Sequence, residues 1–205
     1  MMKILPRTYA VALLVISVLV TGLSLTGCSS PSVPQDRYYR INLETPASGA
    51  IVLNGVVEMD RFVAVGLAAG RAVVYTSDAN AQVLQEYNYD FWHEPPAIML
   101  RDALIDYLRG ANVAKDIVTP DMRASADYLL SGRVHRLETS RGSSPKAVVE
   151  LELGVSDAHT GAVLIVRSYR TDVPVSGASV EAAAMAVNKA VEDIFERFLN
   201  DLRGR

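Results

Sequence analysis

Cysteine, tryptophan and histidine are scarce in this chain of 205 residues, which contains one cysteine, one tryptophan and three histidines. A single cysteine excludes a disulfide framework within one chain and any zinc site built from several cysteines. The histidines, His93, His135 and His159, are scattered along the sequence, so a metal site made of histidine alone is not expected. The sequence therefore predicts neither a bound metal nor a cofactor.

The chain also lacks an excess of charge of either sign. It has 20 Lys+Arg against 23 Asp+Glu, a formal net charge of -3. Nucleic-acid-binding proteins usually carry a basic excess on one face, so this balance argues against that class. Half of the residues are apolar and 21% are charged, which is the composition of a globular protein. The length accommodates one domain with a short appendage.

The N-terminus carries an apolar run that reads as a secretion signal. Lys3 and Arg7 precede an uncharged, mostly apolar stretch from Tyr9 to Leu25. As a helix this stretch would be about 25 Å long, shorter than the ~30 Å hydrocarbon core of a bilayer. No basic residue follows it before Arg37, so the flank of a stop-transfer segment is missing. The layout favours a signal peptide over a transmembrane anchor.

The only cysteine follows this run directly. The sequence Leu25-Thr26-Gly27-Cys28 resembles the bacterial lipobox, in which the cysteine becomes the first mature residue and is acylated. We therefore expect a lipoprotein signal peptide over residues 1–27, a lipidated Cys28 with a tether over 28–36, and a folded domain over 37–205. By resemblance to the sorting rule of enteric lipoproteins, Ser29 favours the outer membrane, with the domain on its periplasmic face.

The first half of the folded part is predicted to contain strands, a hairpin and two helices. Strands are expected over Tyr38–Leu43 and within the apolar run Ile51–Met59. Asp60 is a candidate N-cap for a short helix through Ala69, with Gly70 as its stop. The remaining predicted elements of this half are a hairpin of Arg71–Ser77 with Val83–Tyr89, a helix opened by Pro95-Pro96 and ended by Gly110, and a strand over Val113–Val118.

The second half alternates in a way typical of an antiparallel sheet with one wet face. Three long strands are expected over Tyr128–Glu138, Lys146–Asp157 and Ala162–Thr171, joined by hairpin-sized loops. An amphipathic helix over Ser179–Leu202 follows. This order predicts an α/β single-domain sandwich: a mixed sheet with an antiparallel C-terminal meander and covering helices.

No catalytic constellation is visible in the sequence. The segment Gly154–Ala158 lacks the second glycine of a hydrolase nucleophile elbow. Glu150 and Glu152 share one strand face, about 6–7 Å apart, and paired carboxylates can perform acid–base chemistry. On an alternating amphipathic strand, however, they are expected to solvate the outer face. The sequence therefore predicts a protein that is not an enzyme.

The most distinctive stretch is aromatic and ends in two prolines. It runs from Tyr87 through Asn88, Tyr89, Asp90, Phe91, Trp92, His93 and Glu94 to Pro95 and Pro96. One interpretation is a structural clasp, in which a strand end buries a large ring before a helix begins. The other is a partner-binding hot spot, because tryptophan and tyrosine dominate such patches. The candidate residues are Tyr87, Tyr89, Trp92, Glu94, Pro95 and Pro96.

Together with its surroundings, this stretch resembles the ABC-type transport auxiliary lipoprotein family, which includes the paraquat-inducible C-type lipoproteins. The resemblance begins at the lipobox and Tyr38–Leu43, and continues through Trp92 and Glu94–Pro96 to Ala126–Gly132 and the alanine-rich C-terminal helix. Phe91 departs from the pattern, because many relatives carry a basic residue there.

The resemblance implies a fold similar to the N-terminal domain of TolB-type proteins. It also implies a periplasmic lipoprotein that serves an Mce-type (MlaD-like) ABC system for lipid transport between membranes. The implied partners are an MCE-domain protein and the ABC permease and ATPase, with a homo-oligomer as a further option. The alternatives are a lipoprotein that binds a peptidoglycan synthase or another cell-wall factor, and a direct lipid carrier, which would need an apolar cavity.

Overall fold

A long central strand organises the structure. The computed structural model describes residues 33–77 and 80–204, and in that part nine strands form one mixed sheet. The strands are β1 (Arg37–Tyr39), β2 (Leu53–Met59), β3 (Val63–Ala64), β4 (Ala72–Ser77), β5 (Asn80–Trp92), β6 (Ala114–Val118), β7 (Tyr128–Arg141), β8 (Lys146–Asp157) and β9 (Val163–Pro174). The helices are α1 (Pro96–Gly110), α2 (Val180–Arg203) and two short 3-10 helices, Gly66–Ala69 and Pro120–Met122.

Strand β7 divides the sheet into two sides. On one side β2, β3 and β4 follow one another along β7, all parallel to it. On the other side β8 pairs antiparallel with β7, and β9 pairs antiparallel with β8. Strand β6 lies outside β2, whereas β5 lies outside β4 and carries β1 on its outer edge. Because β3 and β4 both pair with the side of β7 that does not face β8, the connection between them also lies on that side.

The predicted C-terminal helix is confirmed, and the structure adds a cap at its start. The hydroxyl of Ser179 accepts a hydrogen bond of 3.1 Å from the backbone N–H of Ala182, and the helix ends at Gly204. Its apolar stripe is buried in full: Val180, Ala184, Val187, Val191, Ile194, Phe195, Phe198 and Leu202. Full burial of one such large side chain contributes about 1.5–3 kcal/mol, so this stripe is a main source of stability.

Helix α1 also begins where the sequence places it. Pro96 is its first residue, a position at which the missing N–H of proline costs no hydrogen bond. One face of the helix and the residue after it are buried: Leu100, Leu104, Tyr107, Leu108 and Ala111. The two helices meet where the ring of Tyr107 lies 5.7 Å from that of Phe195. Large side chains thus fill the space between helices and sheet.

The C-terminal meander is confirmed, with two strands longer than predicted. Strand β7 continues to Arg141 and β9 to Pro174. In β8 the inward side chains, from Ala147 to Val155, are buried, whereas Glu150 and Glu152 are partly exposed on the other face. A bulge between Val134 and Arg136 interrupts the ladder with β8 and adds one residue to β7.

The predicted strand over Tyr38–Leu43 is wrong beyond its first residues. Only Arg37–Tyr39 pairs with the sheet, as β1. The chain then crosses helix α2, where the backbone N–H of Asn42 donates to the Asn188 side chain at 2.6 Å. The Asn188 amide in turn donates to the carbonyl of Arg40 at 3.3 Å. These bonds to a helix side chain replace the ladder that a longer strand would have made.

The predicted helix from Asp60 to Ala69 is also wrong. The backbone N–H of Asp60 donates to Leu130 of β7 at 2.9 Å, and Val63–Ala64 pairs with the same strand as β3. Only Gly66–Ala69 coils, as a 3-10 helix, and Gly70 closes it as predicted. Pairing with a strand distant in sequence overrides the local helical pattern here.

The fold class predicted from the sequence is confirmed: one α/β unit with a mixed sheet, an antiparallel meander and covering helices. Residues Gln35–Arg205 form one compact unit. Neither helix of the described residues has the length and apolar character that crossing a membrane requires. Cys28 and residues 1–27 lie outside the described residues.

Candidate functional site

The first folded residues pair directly with the aromatic stretch that the sequence singled out. Strand β1 runs parallel to the end of β5, with Arg37 opposite Asp90, Tyr38 opposite Phe91 and Tyr39 opposite Trp92. The place where the tether joins the domain is therefore built on this stretch. We call Arg37, Tyr39, Asp90 and Trp92 the N-terminal clamp.

A buried carboxylate holds the polar half of the clamp. Asp90 is only 4% exposed, and it accepts hydrogen bonds from the guanidinium of Arg37 at 3.0 Å and from the hydroxyl of Tyr39 at 2.7 Å. Burial, together with the hydrogen bond to Asp90, raises the pKa of Tyr39 to about 12. The protonated phenol is thus favoured by folding, and its contribution to stability is lost only as the pH rises from about 10 toward that value.

The tryptophan forms the apolar half of the clamp. Trp92 is 1% exposed, and the ring of Tyr39 meets it edge-on at 6.4 Å. Its backbone N–H donates to the carbonyl of Arg71 at 2.7 Å, and the Arg71 side chain donates back to its carbonyl at 3.2 Å. The next N–H, of His93, donates to the carbonyl of Tyr39 at 2.8 Å. Trp92 is therefore held from both neighbouring strands and has almost no surface to offer a partner.

The other predicted aromatic residues lie apart from Trp92. The ring of Tyr87 packs on Tyr75 at 4.4 Å, and the guanidinium of Arg141 lies over both rings at 5.1 and 5.6 Å. Burial raises the pKa of Tyr87. Tyr89 is exposed. Tyr87 therefore belongs to a packed pair of rings covered by Arg141, whereas Tyr89 lies on the surface.

The end of the predicted stretch is a helix start. The carbonyl of Pro95 accepts hydrogen bonds from the N–H groups of Ile98 at 2.9 Å and Met99 at 3.1 Å. Pro96 is buried as the first helical residue, and the carboxylate of the partly exposed Glu94 lies 3.6 Å from the ring of His93. These residues fix how helix α1 leaves the clamp.

We expect Asp90→Ala to lower the free energy of unfolding by about 1–3 kcal/mol, because it leaves the Tyr39 hydroxyl without its acceptor. Asp90→Asn should cost less, since the amide oxygen still accepts from Tyr39. Urea unfolding followed by the fluorescence of Trp92 measures both effects, with Asp116→Ala, at an exposed position of strand β6, as a control. Wild-type stability of Asp90→Ala would show that the clamp does not stabilise the domain.

The paired glutamates lie among arginines. Glu150 is opposite Arg136 on β7 and Arg170 on β9, and Glu152 is opposite Arg133. This is the cross-strand pattern of a charge-balanced, solvated sheet face. In the described part of the chain the two carboxylates therefore do not form an isolated acid–base pair.

The three histidines lie apart, each beside a carboxylate. His135 is 3.9 Å from Glu152, and His159 is 3.5 Å from Asp127. No group of three histidine, cysteine or acidic side chains among the described residues could hold a metal ion.

Sequence reasoning missed the polar half of the clamp. Arg37 and Tyr39 are 53 and 51 positions from Asp90 in the chain, so no local pattern connects them to it. The signal that was present is Asp90 itself, an acidic residue between aromatic neighbours in a strand. Such a residue needs a hydrogen-bonding partner if the strand is buried.

Fold and clamp together define a small α/β protein whose first strand, β1, is fixed to the edge of its own sheet. The chain belongs to the family of ABC-type transport auxiliary lipoprotein components, whose family model matches residues 41–197. This confirms the resemblance predicted from the sequence. The family consists of lipoproteins auxiliary to ABC transport, which places the protein in the cell envelope.

Solved structures share the fold at low sequence identity. A Xanthomonas campestris protein assigned to family DUF330 superposes with a TM-score of 0.70 at 18% identity, covering 79% of this chain and 91% of its own. An uncharacterized protein gives 0.62 at 14% identity, covering 82% and 99%. A hypothetical protein of Chlamydia trachomatis gives 0.51 at 9% identity, covering 74% and 96%. No curated protein matches this chain.

Proposed function

We propose that the protein is a non-enzymatic auxiliary subunit of an Mce-type ABC system that moves lipids between the two membranes. In this proposal acylated Cys28 anchors it to the periplasmic face of the outer membrane. The domain binds the MCE-domain protein, or the permease and ATPase that act with it. The match of the family model over residues 41–197 is the observation that carries the proposal.

The junction between anchor and domain supports a role beside a membrane. Eight residues, Ser29–Asp36, separate Cys28 from Arg37, so a fully extended tether would place the Cα of Cys28 at most about 32 Å from the Cα of Arg37 in the clamp. The clamp fixes that junction to the sheet through Asp90 and the buried Trp92. A domain held so close to its membrane is suited to a membrane-resident partner and poorly suited to reaching across the periplasm.

The chemistry of the described residues supports a binding role over catalysis. The acidic residues of the sheet face lie among arginines, the histidines are dispersed, and the interior is filled by large side chains such as Trp92, Phe195 and Phe198. In the described part of the chain, these features fit binding through a folded surface better than catalysis.

Affinity purification of a C-terminally tagged chain from detergent-solubilised envelopes tests the proposal. We expect mass spectrometry to identify an MCE-domain protein together with ABC permease or ATPase subunits. The Cys28→Ala chain, which lacks the anchor, is the matched control and should recover less of them, because it is no longer confined to the membrane.

Two results would contradict the proposal. Recovery of peptidoglycan synthases without transporter subunits would favour the cell-wall alternative. Copurification of phospholipid in fixed stoichiometry with the chain that lacks its acyl anchor, again without transporter subunits, would favour direct lipid carriage.

A further inference from the structure

Strand β3 and its connection to β4 expose an unusual stretch of apolar residues. From Val63 to Gly70 no side chain carries a polar atom. Val63, Val65 and Leu67 are nevertheless 48%, 45% and 36% exposed. We call Val63–Gly70 the apolar loop. Ala64 and Ala68 pack against the core, whereas Val63, Val65 and Leu67 face outward and present an apolar surface to the surroundings.

The apolar loop turns at a glycine whose surroundings are open. Gly66 adopts a positive φ of 60°, and nothing lies within 4 Å of the position that its Cβ would occupy. At the base of the loop Phe62 is buried, with its ring directly over Gly132 of β7. The loop thus has a fixed base and an open tip.

The apolar loop lies next to the point where the tether joins the domain. Arg71, the first residue after the loop, places its guanidinium 5.4 Å from the ring of Tyr38 and bonds to the carbonyl of Trp92. Tyr38 and Arg37 are the first residues of β1. The loop is therefore connected, through one arginine, to the residues that follow the tether.

The charges around the apolar loop complement a surface with anionic head groups. Arg61 precedes the loop and Arg71 follows it, and both are exposed. Two acidic residues are also close: Asp60, which bonds to the backbone of Arg61, and Glu86, whose carboxylate lies beside Gly70. Because these acids offset part of the basic charge, we expect the loop to bind such a surface weakly by itself.

We propose that the apolar loop inserts into the surface of the phospholipid membrane that holds the anchor, with Arg61 and Arg71 facing anionic head groups. The proposal rests on the anchoring of Cys28 proposed above. Apolar side chains flanked by arginines have the composition of a membrane-interface segment. A tether of at most about 32 Å keeps the loop near the lipid, so that weak affinity is sufficient. The domain would then be oriented on the membrane by two points, the anchor and the loop.

An environment-sensitive probe tests this directly. Cys28 is the only cysteine, and acylation blocks its sulfur, so Val65→Cys or Leu67→Cys supplies a unique thiol for a nitrobenzoxadiazole label. The labelled chain is added to phosphatidylethanolamine vesicles with and without phosphatidylglycerol. We expect a several-fold rise in emission and strong quenching by lipids brominated on the acyl chain, both greater with phosphatidylglycerol.

The matched control is Val163→Cys. Val163 is 67% exposed, more than the loop residues, but it begins β9, which β7 and β8 separate from β3 in the sheet. Its label should stay in water, and the fluorescence of buried Trp92 in the unlabelled variants confirms that each one folds. Absence of quenching at both loop positions, or equal quenching at position 163, would overturn the proposal.

A second series separates the loop from the anchor. The same substitutions in a Cys28→Ser chain are measured at saturating lipid, where binding does not depend on acylation. Intact mass shows whether Cys28 of the original chain is acylated, which bears only on the proposed function. Quenching at positions 65 and 67 in the Cys28→Ser chain supports the loop whatever the mass shows, and its absence refutes the loop.

Discussion

Replacing Trp92 with alanine is expected to lower the free energy of unfolding by about 3–5 kcal/mol, a large part of the stability of an ordinary domain. The ring is fully buried, and its removal leaves a cavity beside Tyr39 that the surrounding strands cannot close, because their backbones are bonded to each other on both sides. Urea unfolding followed by far-ultraviolet circular dichroism measures the effect, since the variant has no tryptophan left to report it.

The matched control for this prediction is Tyr89→Ala, three residues earlier in the same strand. Tyr89 is exposed, so its truncation should change stability by no more than about 0.5 kcal/mol. A Trp92→Ala chain with wild-type stability that no longer recovers its partners would refute the structural role and establish the hot-spot interpretation.

The difference between the two aromatic residues shows what the sequence could and could not predict. The aromatic stretch was recognisable as important because it holds the only tryptophan and ends in a helix start. Its division into a buried ring, a packed tyrosine and an exposed tyrosine depends on the neighbouring strands. Strand β1 pairs with β5 across 53 positions, and such a register leaves no trace in a local pattern.

The same reasoning explains which elements were predicted well. Helices α1 and α2 were found to within a residue or two because their stripes, caps and stops are local. The antiparallel meander was found because its loops are short. The segment from Asp60 to Ala69 was misjudged because its conformation depends on Leu130, Arg133 and Val134 of β7, which are remote in sequence. Local periodicity therefore predicts helices and hairpins, whereas pairing with a distant parallel strand decides whether an ambiguous segment becomes a helix or a strand.

Replacing Cys28 with alanine is expected to abolish acylation and to move the protein out of the membrane fraction. A single acyl chain holds a protein only reversibly, whereas two or more hold it almost permanently, at about 0.8 kcal/mol for each buried methylene. The apolar loop offers only a few partly exposed side chains and two arginines. It cannot replace the anchor, so loss of the acyl chains should dominate. Metabolic labelling with an alkyne fatty acid and fractionation after an alkaline wash measure both effects.

Ser29→Ala is the matched control, because it alters the neighbouring residue but leaves the sulfur in place. This chain should keep its acyl label and stay in the membrane fraction. Persistence of Cys28→Ala in washed membranes would contradict the predicted anchor and would leave the apolar loop or a protein partner as the attachment. Adding Val65→Asp to the Cys28→Ala chain distinguishes these two attachments. A charge at the tip of the loop opposes insertion into lipid, so the amount of protein in the washed membranes should fall if the loop holds it. If a partner bound elsewhere on the domain holds it, that amount should not change.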